Sequence, residues 1–147
     1  MEQDGLIEQL ERPLADMVNI AECNTALIRW AEVVKSVRED YLDEQQHFPW
    51  IIGFSGGKDS TLVVHAVTDA LMSISPSRRT RPVHVVSNDT LVESPVVIAH
   101  LDKVTKAIRL MAENLGLPIT VARTTPDISK SFWVLLIGKG YPSPNQT

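Results

Sequence analysis

The sequence predicts an α/β domain, a parallel sheet with helices on both faces, and three observations carry that prediction. Short apolar runs of strand length alternate with stretches whose apolar residues recur every three or four positions. Loop-forming residues separate them, notably Gly56-Gly57, Ser75-Pro76-Ser77 and Gly116. The strand runs are continuous rather than alternating, as expected of strands covered on both sides. A chain of 147 residues, 44% hydrophobic and 22% charged, is long enough for one sizeable core. The composition excludes disordered, collagen-like and coiled-coil classes.

Residues 1–24 read as a loose acidic lead-in containing Gly5 and Pro13. A leading helix at about 25–44 follows from Trp30, Val34, Val37 and Tyr41, spaced by four, three and four. The run WIIGF at 50–54 is the first strand, and Leu62, Val63, Ala66, Val67, Ala70 and Leu71 mark the next helix face. After a polar loop at 75–81, PVHVVS at 82–87 is the second strand, rich in β-branched residues. Ser94 is an N-cap and Pro95 an N1 residue; Val97, Leu101, Val104, Ile108, Met111 and Leu115 then trace one helix face to Gly116, an expected left-handed C-cap. ITVAR at 119–123 is the third strand, and a short helix at 131–137 leads to Gly138 and Gly140. Strands alternating with helices imply parallel pairing with right-handed crossovers.

Charge is uneven along the chain. Residues 1–48 hold 11 Asp/Glu against 4 Lys/Arg, and residues 49–147 hold 7 against 10. This balance predicts no strong electrostatic grip on nucleic acid. Arg78, Arg79 and Arg81 precede the second strand, at the edge opposite a ligand site, and read as a solvated loop or a partner contact. The four histidines show no metal-ligand spacing. The single cysteine, Cys23, forms no internal disulfide; it is expected to be a small, partly buried residue separated by the sheet from any ligand. Phe132 and Trp133 are expected in the core. No apolar run approaches the ~20 residues of a membrane span, and the acidic start MEQDGLIEQLERPL is unlike a signal peptide, so a cytoplasmic protein without a membrane partner is expected.

In a parallel sheet, ligands bind outside the carboxyl ends of the strands, here at loops 55–60, 87–94 and 124–130. The first loop, Ser55-Gly56-Gly57-Lys58-Asp59-Ser60, joins a strand to a helix. Two glycines let backbone N–H groups approach a ligand; the helix N-terminus, Lys58 and the hydroxyls of Ser55 and Ser60 all favour an anion, most simply phosphate. A Walker A reading fails because Ile52 and Asp59 stand where glycine and Ser/Thr are required. Gly53-Phe54-Ser55-Gly56-Gly57 fits a G-x-S-x-G nucleophile elbow, but His100 falls within a helix pattern and His84 within a strand, so neither is well placed as its base. The plain alternatives are a tight turn at Gly56-Gly57, and a solvated turn with a capping acid at Asp89 and Glu93.

The loop SGGKDS after an apolar strand resembles the PP-loop of the ATP pyrophosphatase superfamily, with its adenine nucleotide alpha hydrolase-like fold. The segment NDTLVESP at 88–95 resembles D-T-x-x-E-x-P of the phosphoadenosine phosphosulfate reductase branch. Together PWIIGFSGGKDST, SNDTLVESPVV and FWVLLIGKGYPSP resemble the DndC-like sulfurtransferases of DNA phosphorothioation, over roughly residues 25–147. The resemblance implies ATP cleavage between the α- and β-phosphates, with Lys58 and Asp59 as catalytic residues. It places Ser55, Gly56, Gly57, Lys58, Asp59, Ser60, Asp89 and Thr90 around the nucleotide, with Mg²⁺ held through Asp59. It implies DNA, companion modification proteins and a sulfur-donating cysteine desulfurase as partners. In that family a cysteine-bearing segment follows GYPSPNQT and further cysteines hold an iron–sulfur cluster. Those ligands are absent from this chain, so residues 25–147 are expected to be an incomplete PP-loop domain, truncated at its C-terminal side. The alternatives are a phosphoadenosine phosphosulfate reductase or other sulfur-assimilation enzyme, and a non-catalytic nucleotide-binding module.

Overall fold

The computed structural model describes residues 20–140. Its helices and strands, in order, are helix α1 (Ile20–Leu42), strand β1 (Trp50–Gly53), helix α2 (Lys58–Met72), strand β2 (Val83–Asn88), helix α3 (Pro95–Asn114) and strand β3 (Ile119–Thr124). Two short turns follow, a 3-10 turn at Ile128–Lys130 and a π turn at Val134–Gly138. The predicted α/β alternation is therefore observed. The leading helix starts five residues before the expected position, inside the stretch read as a lead-in; residues 1–19 of that stretch lie outside the described residues, as do residues 141–147. The short helix expected at 131–137 is instead largely a π turn, closed by the Lys139 N–H on the Val134 carbonyl at 2.9 Å. Gly138 ends this turn, and Gly140 follows at φ +64.

The three strands are parallel in the order β1–β2–β3, with Ile52 beside Val85 and Val85 beside Val121. A chain stepping one way across a sheet with right-handed crossovers leaves its connecting helices on a single face. Burial follows that rule. Ile52, Val83, Val85, Ser87 and Ile119 share one pleat and are all buried. On the other pleat Ile51, Gly53, His84, Val86, Thr120 and Ala122 are all at least partly exposed, Ile51 at 73%. The expected cover on both faces is thus found on one face among the described residues. The apolar runs alone could not reveal this, because Ile51, Val86 and Ala122 of the second pleat are apolar too, although His84 and Thr120 meet there at 2.7 Å.

The single core forms between that face and the helices, from Ile52 and Phe54 through Val64, Val67 and Leu71 to Leu101, Ile108 and Ile119. Helix α3 ends as the sequence predicts. Gly116 has φ +58, its N–H donates to Glu113 O, and the Leu117 N–H donates to Ala112 O at 2.9 Å, a Schellman closure.

Two of the three arginines before β2, Arg79 and Arg81, are structural, which corrects the expectation of a solvated loop or partner contact for them, while Arg78 is exposed. Arg81 is 8% exposed; its guanidinium donates to the carbonyls of Asp40, Asp43 and Gln46 at and beyond the end of α1. It also stacks over Tyr41 and Trp50. Arg79 donates to Ile74 O and Met72 O at the end of α2. Carbonyls at helix ends lack intrahelical donors, so a cation there both supplies hydrogen bonds and favours the negative dipole end. Cys23, expected to be partly buried, is exposed. Glu22 and Ala26 share a groove with Leu62 and Val63 near the start of α2, while Trp30 donates to Asp69 further along it and Tyr41 reaches Arg81 at the amino edge, so α1 runs parallel to α2. Cys23 therefore lies toward the carboxyl edge of the sheet, not behind it. Among the described residues, no helix is long and apolar enough to cross a membrane.

Tyr41 joins α1 to the sheet. Its hydroxyl donates to Arg81 O at 2.6 Å and accepts from the Arg81 N–H at 3.0 Å. Burial raises its pKa above the ordinary tyrosine value, partly offset by the Arg81 hydrogen bond and the nearby arginines. The unfolded chain ionises first, so this contribution to stability is full below the ordinary tyrosine pKa and is lost as pH rises through the folded one. Tyr41→Phe is predicted to lower stability by about 1–3 kcal/mol in urea unfolding at neutral pH, by orphaning two buried backbone groups. It should also flatten the alkaline fall in stability.

Candidate functional site

Loops 55–60 and 87–94 follow β1 and β2, which are adjacent and parallel, so both lie at one sheet edge. Phe54 begins the first loop from a buried position, its N–H donating to Val86 O at 2.8 Å. Gly56 then turns the chain with φ +76, and a Cβ there would stand 3.2 Å from Leu101 Cδ1 and 3.6 Å from His100 Cδ2. Backbone conformation and space both require glycine. Gly57 is the extended N-cap of α2, and no side chain caps the helix, so its first-turn N–H groups face outward at the positive dipole end.

The hydroxyls organise this turn. Ser55 Oγ lies 3.2 Å from Ser60 Oγ and accepts from the Gly57 N–H at 3.4 Å. Ser60 and Thr61 donate to Gly57 O at 3.1 and 2.8 Å. Ser55 thus bonds within the loop, without the imidazole partner that a nucleophile elbow needs. Lys58 and Asp59, adjacent in the first turn of α2, are exposed and form no ion pair among the described residues. His100, set aside by its helical register, does reach the loop: its Nε2 is 3.3 Å from Gly56 O.

The second loop is held by its own contacts. Asp89 Oδ1 accepts from the Leu91 N–H at 2.9 Å, and Oδ2 pairs with Arg123 at 2.7 Å. Arg123 also pairs with Asp102 of α3 at 2.6 Å. Thr90 donates to Glu93 at 3.2 Å, and Ser94 caps α3 by accepting from the Val97 N–H. Leu91 sits at φ +62, and its carbonyl accepts from Trp133 Nε1 at 3.0 Å. Phe132 and Trp133, expected in the core, are 43% and 49% exposed; Trp133 meets this loop, and Phe132 packs edge to face against Trp133.

The structure therefore brings Ser55, Gly56, Gly57, Lys58, Asp59 and Ser60 into one open turn, with Asp89 and Thr90 on the neighbouring loop. Arg123 and Trp133 were not singled out as site-edge residues from sequence. For Arg123 a signal existed: it is the last residue of the apolar run ITVAR, and parallel register sets it beside Ser87, two residues before Asp89. In the third loop Asp127 accepts from the N–H and hydroxyl of Ser129 at 2.9 Å each, which lowers its pKa. Among the described residues no cluster of His, Cys, Asp and Glu could hold a metal ion. No model of a known protein family, no curated protein and no solved structure matches this chain.

Gly56→Ala is predicted to cost more stability than Gly116→Ala. Both replace a glycine at positive φ, a penalty of about 1–2 kcal/mol. Only the first also meets Leu101, whereas the second meets nothing within 4 Å. Equal losses in denaturant unfolding would show that the loop does not press on α3.

Proposed function

We propose that the chain binds ATP with Mg²⁺ at loop 55–60 and takes part in its cleavage between the α- and β-phosphates, as the adenylylating part of a DndC-like sulfurtransferase for DNA. The observation that carries the reading is the uncapped N-terminus of α2 beside a glycine turn, with Lys58 free of any ion pair among the described residues. Such a cradle suits a polyphosphate: glycine at position 56 lets the turn close against α3, and fixed N–H donors remain available at the start of α2.

In this reading the α-phosphate is attacked by an acceptor oxygen, and pyrophosphate departs with the bridging electron pair. The departing charge falls where the N–H groups of the α2 first turn and Lys58 stabilise it without reorganising. Asp59, exposed beside Lys58, would hold Mg²⁺, an ion content with one or two carboxylates plus phosphates. Bound there, the ion would neutralise phosphate charge. Asp89 keeps its loop in place through Arg123 and Leu91, and this reading sets Thr90 beside the nucleotide.

An iron–sulfur cluster does not fit these residues, since the sequence contains one cysteine and cluster ligation takes several thiolates. Sulfur would come from a cysteine desulfurase, and DNA with companion modification proteins would complete the system. Cytoplasmic location belongs to the same proposal.

Lys58→Ala should weaken Mg·ATP binding by ~2–3 kcal/mol, the scale of a charge-assisted contact, measured by calorimetry on the folded chain. Equal affinity of both proteins would remove the assignment. Products of labelled ATP, tested with the partner proteins present, should be AMP and pyrophosphate. ADP and phosphate would instead mark a γ-phosphate hydrolase.

A further inference from the structure

A second polar cavity, of about 280 Å³, lies between α3 and β3, and Leu101 forms a common wall between it and the Gly56 turn. Its floor includes Ser87 on the helix-covered pleat of the central strand. Ser87 is 1% exposed, and its Oγ is the one buried side-chain polar atom among the described residues with no hydrogen-bond partner. A buried hydroxyl without a partner destabilises the fold unless something bonds to it.

The side chains around it are mainly cationic. Lys106, Arg109 and Arg123 line the cavity with Asp102 as its acid. Asp102 is already paired with Arg123 at 2.6 Å, and Arg123 is further held by Asp89. Lys106 has no ion pair among the described residues. Arg109 makes a long 3.4 Å contact to Val121 O, a neutral carbonyl that leaves its charge uncompensated. Thr105 donates its hydroxyl proton to Leu101 O within the helix, so it is not a free donor to the cavity. Two uncompensated cations and an unpartnered hydroxyl donor around a small space match a tetrahedral oxyanion.

We propose that this cavity binds an oxyanion of the phosphate or sulfate class, which accepts a hydrogen bond from Ser87 Oγ and pairs with Lys106 and Arg109. The site is distinct from loop 55–60 and does not depend on what that loop binds. An anion there has one route to the loop after β2, because Arg123 lines the cavity and also anchors Asp89.

The test is an amide NMR titration of the 147-residue chain carrying Lys58→Ala, which weakens the phosphate loop. Inorganic phosphate, sulfate and ribose 5-phosphate are added in parallel. Saturable shifts are expected at Ser87 and at residues 105–109. Ser87→Ala should weaken binding about tenfold, the scale of one lost hydrogen bond, while raising the melting temperature of the free protein. Lys106→Ala, on an exposed position that folding does not need, should weaken it at least as much. Ribose 5-phosphate binding more tightly than phosphate identifies the phosphate of a larger molecule; the reverse identifies the free ion. Shifts confined to residues 55–60, affinity unchanged by both variants, or a lower melting temperature for Ser87→Ala would overturn the proposal.

Discussion

Gly56 sets the shape of the carboxyl edge because it carries no side chain. At φ +76, and pressed against Leu101 and His100 of α3, it turns the chain so that α2 begins with free N–H groups facing outward. Any other residue would strain the backbone and push on the core residue Leu101. The constraint links local conformation to tertiary packing: α3 supports the turn, and the turn presents the start of α2. Lys58 and Asp59 owe their position to that start, being the first two residues of the helix.

A second link ties the edge together. Arg123 reaches from the end of β3 to Asp89 after β2 and to Asp102 on α3. Its side chain is only partly buried, so the two pairs contribute chiefly geometry rather than large stabilisation. With Trp133 holding the Leu91 carbonyl, they fix the loop that faces the glycine turn. At the opposite edge, Arg81 and Tyr41 do the corresponding work, closing the end of α1 against β2. The arginine-rich stretch that could pass for a nucleic-acid patch is thus mostly consumed by helix ends.

The strands and α3 were legible because their signals are local. Three apolar runs, the cap Ser94-Pro95 and the stop at Gly116 each act within a few residues, and the structure places all of them as read. The glycine loop was legible for the same reason. What could not be read depends on contacts distant in sequence. The role of Arg81 requires the end of α1, about forty positions away, and that of Arg123 requires two other elements. His100 reaches Gly56 across 44 positions. Sheet coverage was misread because apolar strands do not report which face a helix takes; strand order decides that. The start of α1 is hard to place from sequence because residues 22–28 are exposed, so no core contact marks it. Phe132 and Trp133 were misplaced by hydrophobicity alone, although an indole N–H needs an acceptor and finds it at the loop edge.

The central claim is that the start of α2 is a polyphosphate cradle, and amide hydrogen exchange tests it most directly. The full chain is compared with and without a non-hydrolysable ATP analogue and Mg²⁺. Slowed exchange is predicted at the amides of residues 56–60, with a smaller effect at 88–94 and none at the α1 end near Asp40 and Asp43. Unchanged exchange at 56–60, under conditions where the analogue binds elsewhere or not at all, would contradict the account.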